Sequence, residues 1–283
     1  MAKPIQSEQA LFISMLNEAE AGNATAQRQA ADCYMQGKGT LQDVNLAVHW
    51  YQKAAEQGHA GAQKCLGNMY VNSQGVEQDY AQAINWYNKS ASAGNAKARF
   101  NLGLMYQIGR GVEKNYEEAF RWQRLAAEQG YAPAQFSIGL LFAHGKGVAQ
   151  DYVKAFEWLL RAAEQDHPTA QYNIGLACEN GVGAAQDGRE AAKWYKRAAR
   201  NGEYFAQINL AVMYMDGRGV TKDSAKAYIW FSVAANQQAL TADKRDKLRQ
   251  IETLFAPEEL KILRENIAEH VGIAERKSQD FLA

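Results

Sequence analysis

Several features that mark other classes of protein are scarce in this sequence of 283 residues. Three cysteines are too few for a disulfide framework, and their odd number fits a reducing compartment. The longest apolar runs span about six residues, against the roughly 20 that are needed to cross a bilayer. Acidic and basic side chains number 31 each, so no excess charge is present for binding nucleic acid or an acidic membrane. We therefore predict no nucleic-acid partner and no membrane insertion.

The sequence also has few prolines and lacks the pattern of a secretory signal peptide. The first 22 residues contain no continuous apolar block before a small-residue cleavage site, which a secretory signal needs. We therefore expect a cytoplasmic protein. Only four prolines occur, and proline breaks helices, so the chain can be helical over nearly its whole length.

A 36-residue repeat organises the chain. All six tryptophans are separated by this interval, from Trp50 to Trp230, and two alanines and one glycine per repeat follow the same interval. The register is uninterrupted over residues 25–240, and such a period is typical of stacked repeat proteins. The predicted repeats are 25–60, 61–96, 97–132, 133–168, 169–204 and 205–240.

Each repeat contains the patterns of two helices. In the second repeat, Ala62, Leu66 and Met69 lie at i, i+4 and i+7, which is one face of a first helix. A loop with glycine follows, and Asp79 then stands where it can cap a second helix. The sequence therefore predicts an all-α solenoid of six helix-turn-helix repeats.

Both ends depart from the repeat, as the terminal segments of a solenoid should. Residues 1–24 are predicted to form an N-terminal capping helix, centred on Ser7–Gly22. Residues 241–283 are predicted to form two capping helices, Thr241–Phe255 and Pro257–Val271, followed by a tail.

The tryptophans are expected to be buried core residues. Glycines stand in the middle of four first helices, where each costs roughly 1 kcal/mol relative to alanine. Close approach of the tryptophan of the same repeat would explain that cost. In the first repeat Ala30 and Ala31 replace the usual Leu-Gly pair. We therefore expect this repeat to be the weakest packed, so that losing Trp50 costs less stability than losing Trp122.

These features together resemble the Sel-1-like repeat family, a relative of the tetratricopeptide repeats. The motif A-x-x-x-L-G-x-x-Y-x-x-G-x-G-V-x-x-D-x-x-x-A-x-x-W-Y-x-x-A-A-E-Q-G is almost complete in residues 98–130 and 206–235. The resemblance covers about three quarters of the chain. It implies a right-handed α/α solenoid and a bacterial adaptor that assembles other proteins.

The sequence contains no pattern of a catalytic or metal site. The five histidines, at positions 49, 59, 144, 167 and 270, never stand at ligand spacing with cysteine or carboxylate. Phosphate-binding glycine loops follow a β-strand, whereas the Gly-x-Gly triplets here follow no predicted strand and recur with the repeat. One cysteine-rich subgroup of the resembled family has been linked to β-lactam binding, but its cysteine pairs are missing here. We predict that the protein is not an enzyme and that it binds no cofactor and no metal.

A binding surface is predicted on the first helices, on the face opposite the apolar stripe. In the tetratricopeptide relatives this face lines a concave groove. Apolar anchors with interleaved amides suit an extended peptide or a helix. Packing between repeats is the alternative for the apolar residues, and local hydrogen bonding is the alternative for Asn101, Asn173 and Asn209. The candidate partner-binding residues are Phe100, Asn101, Leu104, Phe136, Ser137, Leu140, His144, Tyr172, Asn173, Leu176, Asn180, Ile208, Asn209 and Val212.

The predicted function is that of a monomeric, non-catalytic scaffold, or adaptor, which binds a peptide or protein partner in this groove. An alternative is an immunity protein that neutralises a bacterial effector, since bacterial members of the resembled family include such proteins. A remote alternative is an enzyme similar to a β-lactam hydrolase.

Overall fold

The computed structural model describes the backbone of residues 3–267 and the side chains of residues 7–267. This part of the chain contains fifteen helices and no strand, which confirms the predicted all-α class. The predicted tail, His270 and the end of the last predicted helix lie outside the described residues. The helices are α1 (Lys3–Glu20), α2 (Ala24–Gln36), α3 (Val44–Glu56), α4 (Ala60–Asn72), α5 (Tyr80–Ser92), α6 (Ala96–Ile108), α7 (Tyr116–Ala127), α8 (Ala132–His144), α9 (Tyr152–Glu164), α10 (Pro168–Asn180), α11 (Gly188–Arg200), α12 (Tyr204–Asp216), α13 (Ser224–Gln237), α14 (Ala242–Glu252) and α15 (257–267).

The caps predicted for the second helices are present. Asp79 accepts hydrogen bonds from the backbone amides of Ala81 and Gln82, at 2.9 and 3.0 Å, and so begins α5. First helices end at a left-handed residue, which is Gly109 after α6, with φ of 75°. Ser73 takes the same conformation after α4, with φ of 55°, at the one loop where serine replaces that glycine.

The described residues divide into two compact units. The N-terminal unit holds residues up to 134 together with 146–148, and alanines such as Ala83 and Ala98 are fully buried in it beside Leu102. The C-terminal unit holds residues 135–145 and those from 149 onward, with a core that includes Ile174 and Phe231. Helices α14 and α15 contribute the buried Ile251, Leu263 and Ile267 to the core of the C-terminal unit.

Buried glutamines tie the first helices α2, α4, α10 and α12 to the helix before each of them. Gln171 Nε2 donates to the Ala163 carbonyl at 3.0 Å, and Gln63 Nε2 donates to the Ala55 carbonyl at 3.1 Å. Each bond satisfies a carbonyl of the last helical turn, which has no partner within its own helix. The sequence analysis missed this bond, although glutamine recurs with the repeat. The recurring residues are Gln27, Gln63, Gln135, Gln171 and Gln207.

The expected contact between the tryptophans and the mid-helix glycines is wrong. A Cβ atom at Gly175 would lie 2.6 Å from the ring of Tyr195, which follows Trp194 in the sequence. Consecutive helical residues point about 100° apart, so the tyrosine faces the first helix and the tryptophan does not. Trp86 and Trp122 are half-buried, and Lys89 Nζ lies 4.1 Å from the centre of the Trp86 ring.

The expected ranking of the repeats is also reversed for this position. Trp50, in the repeat expected to be weakest packed, is only 7% exposed, whereas Trp122 is half-buried. The indole of Trp50 is therefore more completely removed from solvent than the indole of Trp122.

His167 caps α10 although it is a buried histidine. Its Nδ1 accepts a hydrogen bond from the Ala170 amide at 3.2 Å, and its ring stacks on Phe136 with the ring centres 4.6 Å apart. Burial lowers the pKa of His167 from its usual 6.5 to about 4. The neutral imidazole is the form that the folded protein stabilises.

We expect Gly175→Ala to destabilise the protein. Overpacking against the fully buried Tyr195 costs typically 1–3 kcal/mol, whereas the gain in helix propensity is about 1 kcal/mol. Gly188→Ala is the matched control in the next helix, because a Cβ there would meet its nearest neighbour at 3.5 Å. Urea denaturation measures both, and a Gly175→Ala variant as stable as the Gly188→Ala variant would contradict the close contact.

Trp50→Ala should cost more stability than Trp86→Ala. Removing a buried tryptophan costs roughly 3–5 kcal/mol, and the half-buried Trp86 should cost less. Both indoles carry a lysine over the ring, Lys53 and Lys89, so this contact is common to the two positions. Chemical denaturation gives the two values, and an equal loss would show that exposure does not set the cost.

The stability of the protein should fall in acid through His167. Because the folded pKa lies below the unfolded one, the contribution is fully present above pH 6.5 and is lost as the pH falls toward 4. The full shift corresponds to roughly 3 kcal/mol. His167→Asn keeps a capping side chain without this titration, so its free energy of unfolding should change less between pH 7 and pH 4.5. The half-exposed cap His59 supplies the control His59→Asn, and an unchanged pH dependence in His167→Asn would refute the assignment.

Candidate functional site

The structure places the fourteen predicted binding residues on the first helices α6, α8, α10 and α12. All of them are half-buried or exposed, and none is fully buried. Phe100, Asn101 and Leu104 belong to the N-terminal unit, and the other eleven belong to the C-terminal unit. The candidate surface is therefore described separately for each unit.

In the N-terminal unit, Asn101 forms a polar link between two repeats. Its Nδ2 donates to Asn68 Oδ1 at 3.0 Å, and the Tyr87 hydroxyl donates to the same oxygen at 2.7 Å. Burial raises the pKa of Tyr87 to about 12. The alternative of local hydrogen bonding therefore accounts for the amide group of Asn101. Phe100 contacts Tyr131 edge to face, with the ring centres 5.5 Å apart.

In the C-terminal unit, two of the predicted amides bond within their own helix. Asn173 Nδ2 donates to the Thr169 carbonyl at 2.7 Å, and Asn180 Nδ2 donates to the Leu176 carbonyl at 3.0 Å. The apolar candidates contact the edge of the core while staying half-exposed, so packing explains part of their role. These apolar residues are Phe136, Tyr172, Leu176, Ile208 and Val212.

A crevice of about 150 Å³ lies between α9 and α10 in the C-terminal unit. Three of the predicted residues, Asn173, Leu176 and Asn180, line it from α10. Tyr152 and Val182 also line it and are 48% and 41% exposed. The second-helix side of this crevice was not predicted, because the binding surface was predicted on the first helices alone. The remaining lining residues are Ala143, Ala155, Phe156, Leu159 and Ala177.

A crevice of about 450 Å³ lies between α1 and α2 in the N-terminal unit. Each of its lining residues stands 144 positions before a lining residue of the other crevice, which is four repeats of 36. The two crevices therefore lie at equivalent positions along the repeat. Their chemistry differs because different residues line them. Here they are Glu8, Leu11, Phe12, Met15, Gln29, Asp32, Cys33, Gln36 and Lys38.

The carboxylate of Asp32 in the N-terminal crevice is already paired with protein groups. Asp32 forms an ion pair with Arg28 at 2.7 Å and accepts a hydrogen bond from the Tyr51 hydroxyl at 2.5 Å. Burial and the adjacent carboxylate raise the pKa of Tyr51 far above its usual value. Both oxygens of Asp32 therefore have partners, which favours a structural role for this group.

Glu179 forms a second carboxylate cluster, which the sequence analysis did not identify. The Tyr195 hydroxyl donates to Glu179 Oε2 at 2.7 Å, and Arg218 donates to Oε1 at 2.8 Å. Burial, followed by the bond to Glu179, holds the pKa of Tyr195 well above its usual range. Because both oxygens are occupied, the cluster links the fifth and sixth repeats and offers no free base.

The described residues contain free thiols but no cluster of metal-ligating side chains. Within residues 3–267 no three His, Cys, Asp or Glu side chains come together as a possible metal site. No helix in that range has both the length and the apolar character to cross a membrane. The cysteines, Cys33, Cys65 and Cys178, are free thiols.

Comparison with solved structures gives two similar proteins, each with 36% sequence identity to this chain. The protective antigen c5321 of uropathogenic Escherichia coli, which displays an SLR fold, is 36% identical with a TM-score of 0.82. The match covers 95% of this chain and 57% of c5321, so this chain spans little more than half the length of that protein. A Sel1 repeat protein from Oxalobacter formigenes is 36% identical with a TM-score of 0.76, over 84% of this chain and 68% of that chain.

A third solved structure is more distant. Immunity protein Pa5087 from Pseudomonas aeruginosa is 22% identical over 75% of this chain and 81% of that chain, with a TM-score of 0.47. A likeness at this level carries no functional argument. Comparison with curated proteins gave no match.

Comparison with family models gives a match over most of the chain. The Sel1 repeat matches residues 24–59, 61–95, 96–131, 132–167, 168–203 and 205–238. The number of matched segments equals the predicted number of repeats, and each segment covers one of the helix pairs described above. The chain belongs to the Sel1 repeat family.

Proposed function

We propose that this protein is a non-catalytic scaffold, which binds a peptide or protein partner on the first-helix face of its C-terminal unit. The observation that carries the proposal is the crevice between α9 and α10. It brings the predicted residues Asn173, Leu176 and Asn180 together with the exposed Tyr152 and Val182. Membership of the Sel1 repeat family supports a scaffold role, since stacked repeats present extended binding surfaces.

The size of the crevice favours one anchoring side chain of a larger partner. Sites for whole small molecules span roughly 300–1,000 Å³, and this crevice has about 150 Å³. Phe156, Leu159 and Leu176 supply apolar walls for an aliphatic or aromatic anchor. The carbonyl oxygens of Asn173 and Asn180 can accept hydrogen bonds from the backbone of an extended peptide.

The proposal includes a monomeric protein in the cytoplasm. The free thiols of Cys33, Cys65 and Cys178 support this location, because cysteines persist as thiols in a reducing compartment. The partner therefore belongs to the same compartment.

Val182→Glu should remove partner binding. The variant places a carboxylate in the apolar crevice, and burying an unpaired charge there on binding costs several kcal/mol. Val153→Glu is the matched control, because Val153 is 58% exposed on α9 and does not line the crevice. Each purified variant is used to capture proteins from a lysate, and captured proteins are compared by mass spectrometry.

The informative proteins are those that wild type and Val153→Glu capture and Val182→Glu does not. Both substituted valines are exposed, so thermal melts of all three proteins should coincide. The proposal is wrong if Val182→Glu retains every protein that Val153→Glu captures while both variants remain folded.

A further inference from the structure

The junction between the fifth and sixth repeats departs from the earlier junctions at three successive residues, Glu203, Tyr204 and Phe205, where α12 begins. The repeat does not need rings at the positions of Tyr204 and Phe205, because the preceding repeats fold without them there. At the position of Glu203, earlier repeats do hold rings, and Tyr131 and His167 contact Phe100 and Phe136. The position of Tyr204 holds alanine or proline in the five earlier repeats. The residues at the position of Phe205 are Thr25, Gly61, Lys97, Pro133 and Thr169.

The two added rings form an aromatic patch with Tyr172 of α10, in which Phe205 is exposed and the other two rings are half-buried. Phe205 is 56% exposed, and its ring centre lies 6.0 Å from that of Tyr172. Tyr204 meets Phe205 at 76°, with the ring centres 5.3 Å apart. We call Tyr172, Tyr204 and Phe205 the aromatic patch. The faces of such rings carry negative potential, which attracts cations.

A carboxylate accompanies the aromatic patch. Glu203 occupies the N-cap position of α12 but makes no capping bond, whereas Asn95 and His167 cap α6 and α10. Its Oε2 instead accepts a hydrogen bond from Thr169 Oγ1 at 3.1 Å. Burial and then the charge of Glu203 raise the pKa of Tyr172, so the carboxylate acts on the aromatic patch. Among the ion pairs of the described residues, none involves Glu203.

We propose that the aromatic patch and Glu203 bind an arginine side chain of the partner. The inference relies on the proposed binding function and names the chemistry of one contact. The planar guanidinium stacks on the exposed ring of Phe205 and donates to Glu203, and these two contacts together suit arginine better than lysine. The positive end of the α12 dipole opposes a cation, but it is equivalent to roughly half a charge and Glu203 carries a full one.

The test is a titration of the whole isotope-labelled protein, followed by NMR, with three capped tripeptides. Their central residues are arginine, lysine and norleucine, and glycines flank them. The arginine peptide should give saturable shifts at Tyr172 and at residues 203–205, with weaker binding of the lysine peptide and none of the norleucine peptide. Glu203→Asn and Phe205→Thr should each weaken arginine binding roughly two- to fivefold.

Both variants restore residues that earlier repeats use at the same positions, so they should fold. Glu203→Asn should also raise the melting temperature, because asparagine can cap α12 as Asn95 caps α6. Ile262→Thr is the matched control, because it removes an apolar side chain that is 60% exposed on α15. This variant should bind the arginine peptide as wild type does.

Equal binding of the norleucine peptide would overturn the inference, and so would unchanged arginine binding in Glu203→Asn and Phe205→Thr. The proposed function has a separate outcome. If Val182→Glu loses captured proteins while the arginine peptide gives no saturable shift, the scaffold function stands and the arginine site is wrong. If the arginine peptide binds as expected while Val182→Glu loses nothing, the aromatic patch stands and the crevice is not the anchor site.

Discussion

The close approach of the two helices within each repeat is the contact on which the rest of the structure depends. A small residue in the first helix, such as Gly67 or Gly175, lies against the large side chain that follows the tryptophan, Tyr87 or Tyr195. Ala31 and Ala211 stand at the same position in the first and sixth repeats and are fully buried. Because this contact fixes the rotation of the first helix, it also decides which of its side chains remain exposed to a partner.

Polar bonds extend this local geometry from one repeat to the next. The buried glutamines use the carbonyls at the end of the preceding helix, and Glu179 joins Tyr195 to Arg218 of the following loop. Buried polar groups of this kind are costly unless they are paired, so they favour one register of stacking over its alternatives. Paired in this way, Glu179 and Asp32 act as structural links.

The candidate binding sites lie where equivalent positions of different repeats hold different residues. The crevice position recurs four repeats apart, with charged residues such as Glu8 and Lys38 in one case and Tyr152 and Val182 in the other. Glu203, Tyr204 and Phe205 replace a capping residue and two small or polar residues. A site in this protein is therefore recognised by comparing repeats, because the shared residues are explained by packing alone.

The amino-acid sequence by itself determined the helix pairs, their caps and the number of repeats, because spacing and capping act between residues close along the chain. It also identified the exposed face of the first helices, since a 3.6-residue period separates the two faces. Only the tertiary structure decided that Tyr195 and not Trp194 faces Gly175, that Asn101 bonds to Asn68, and that α9 supplies one wall of the crevice. Those outcomes depend on the rotation and spacing of helices against each other, which contacts between distant residues set and which no local pattern records.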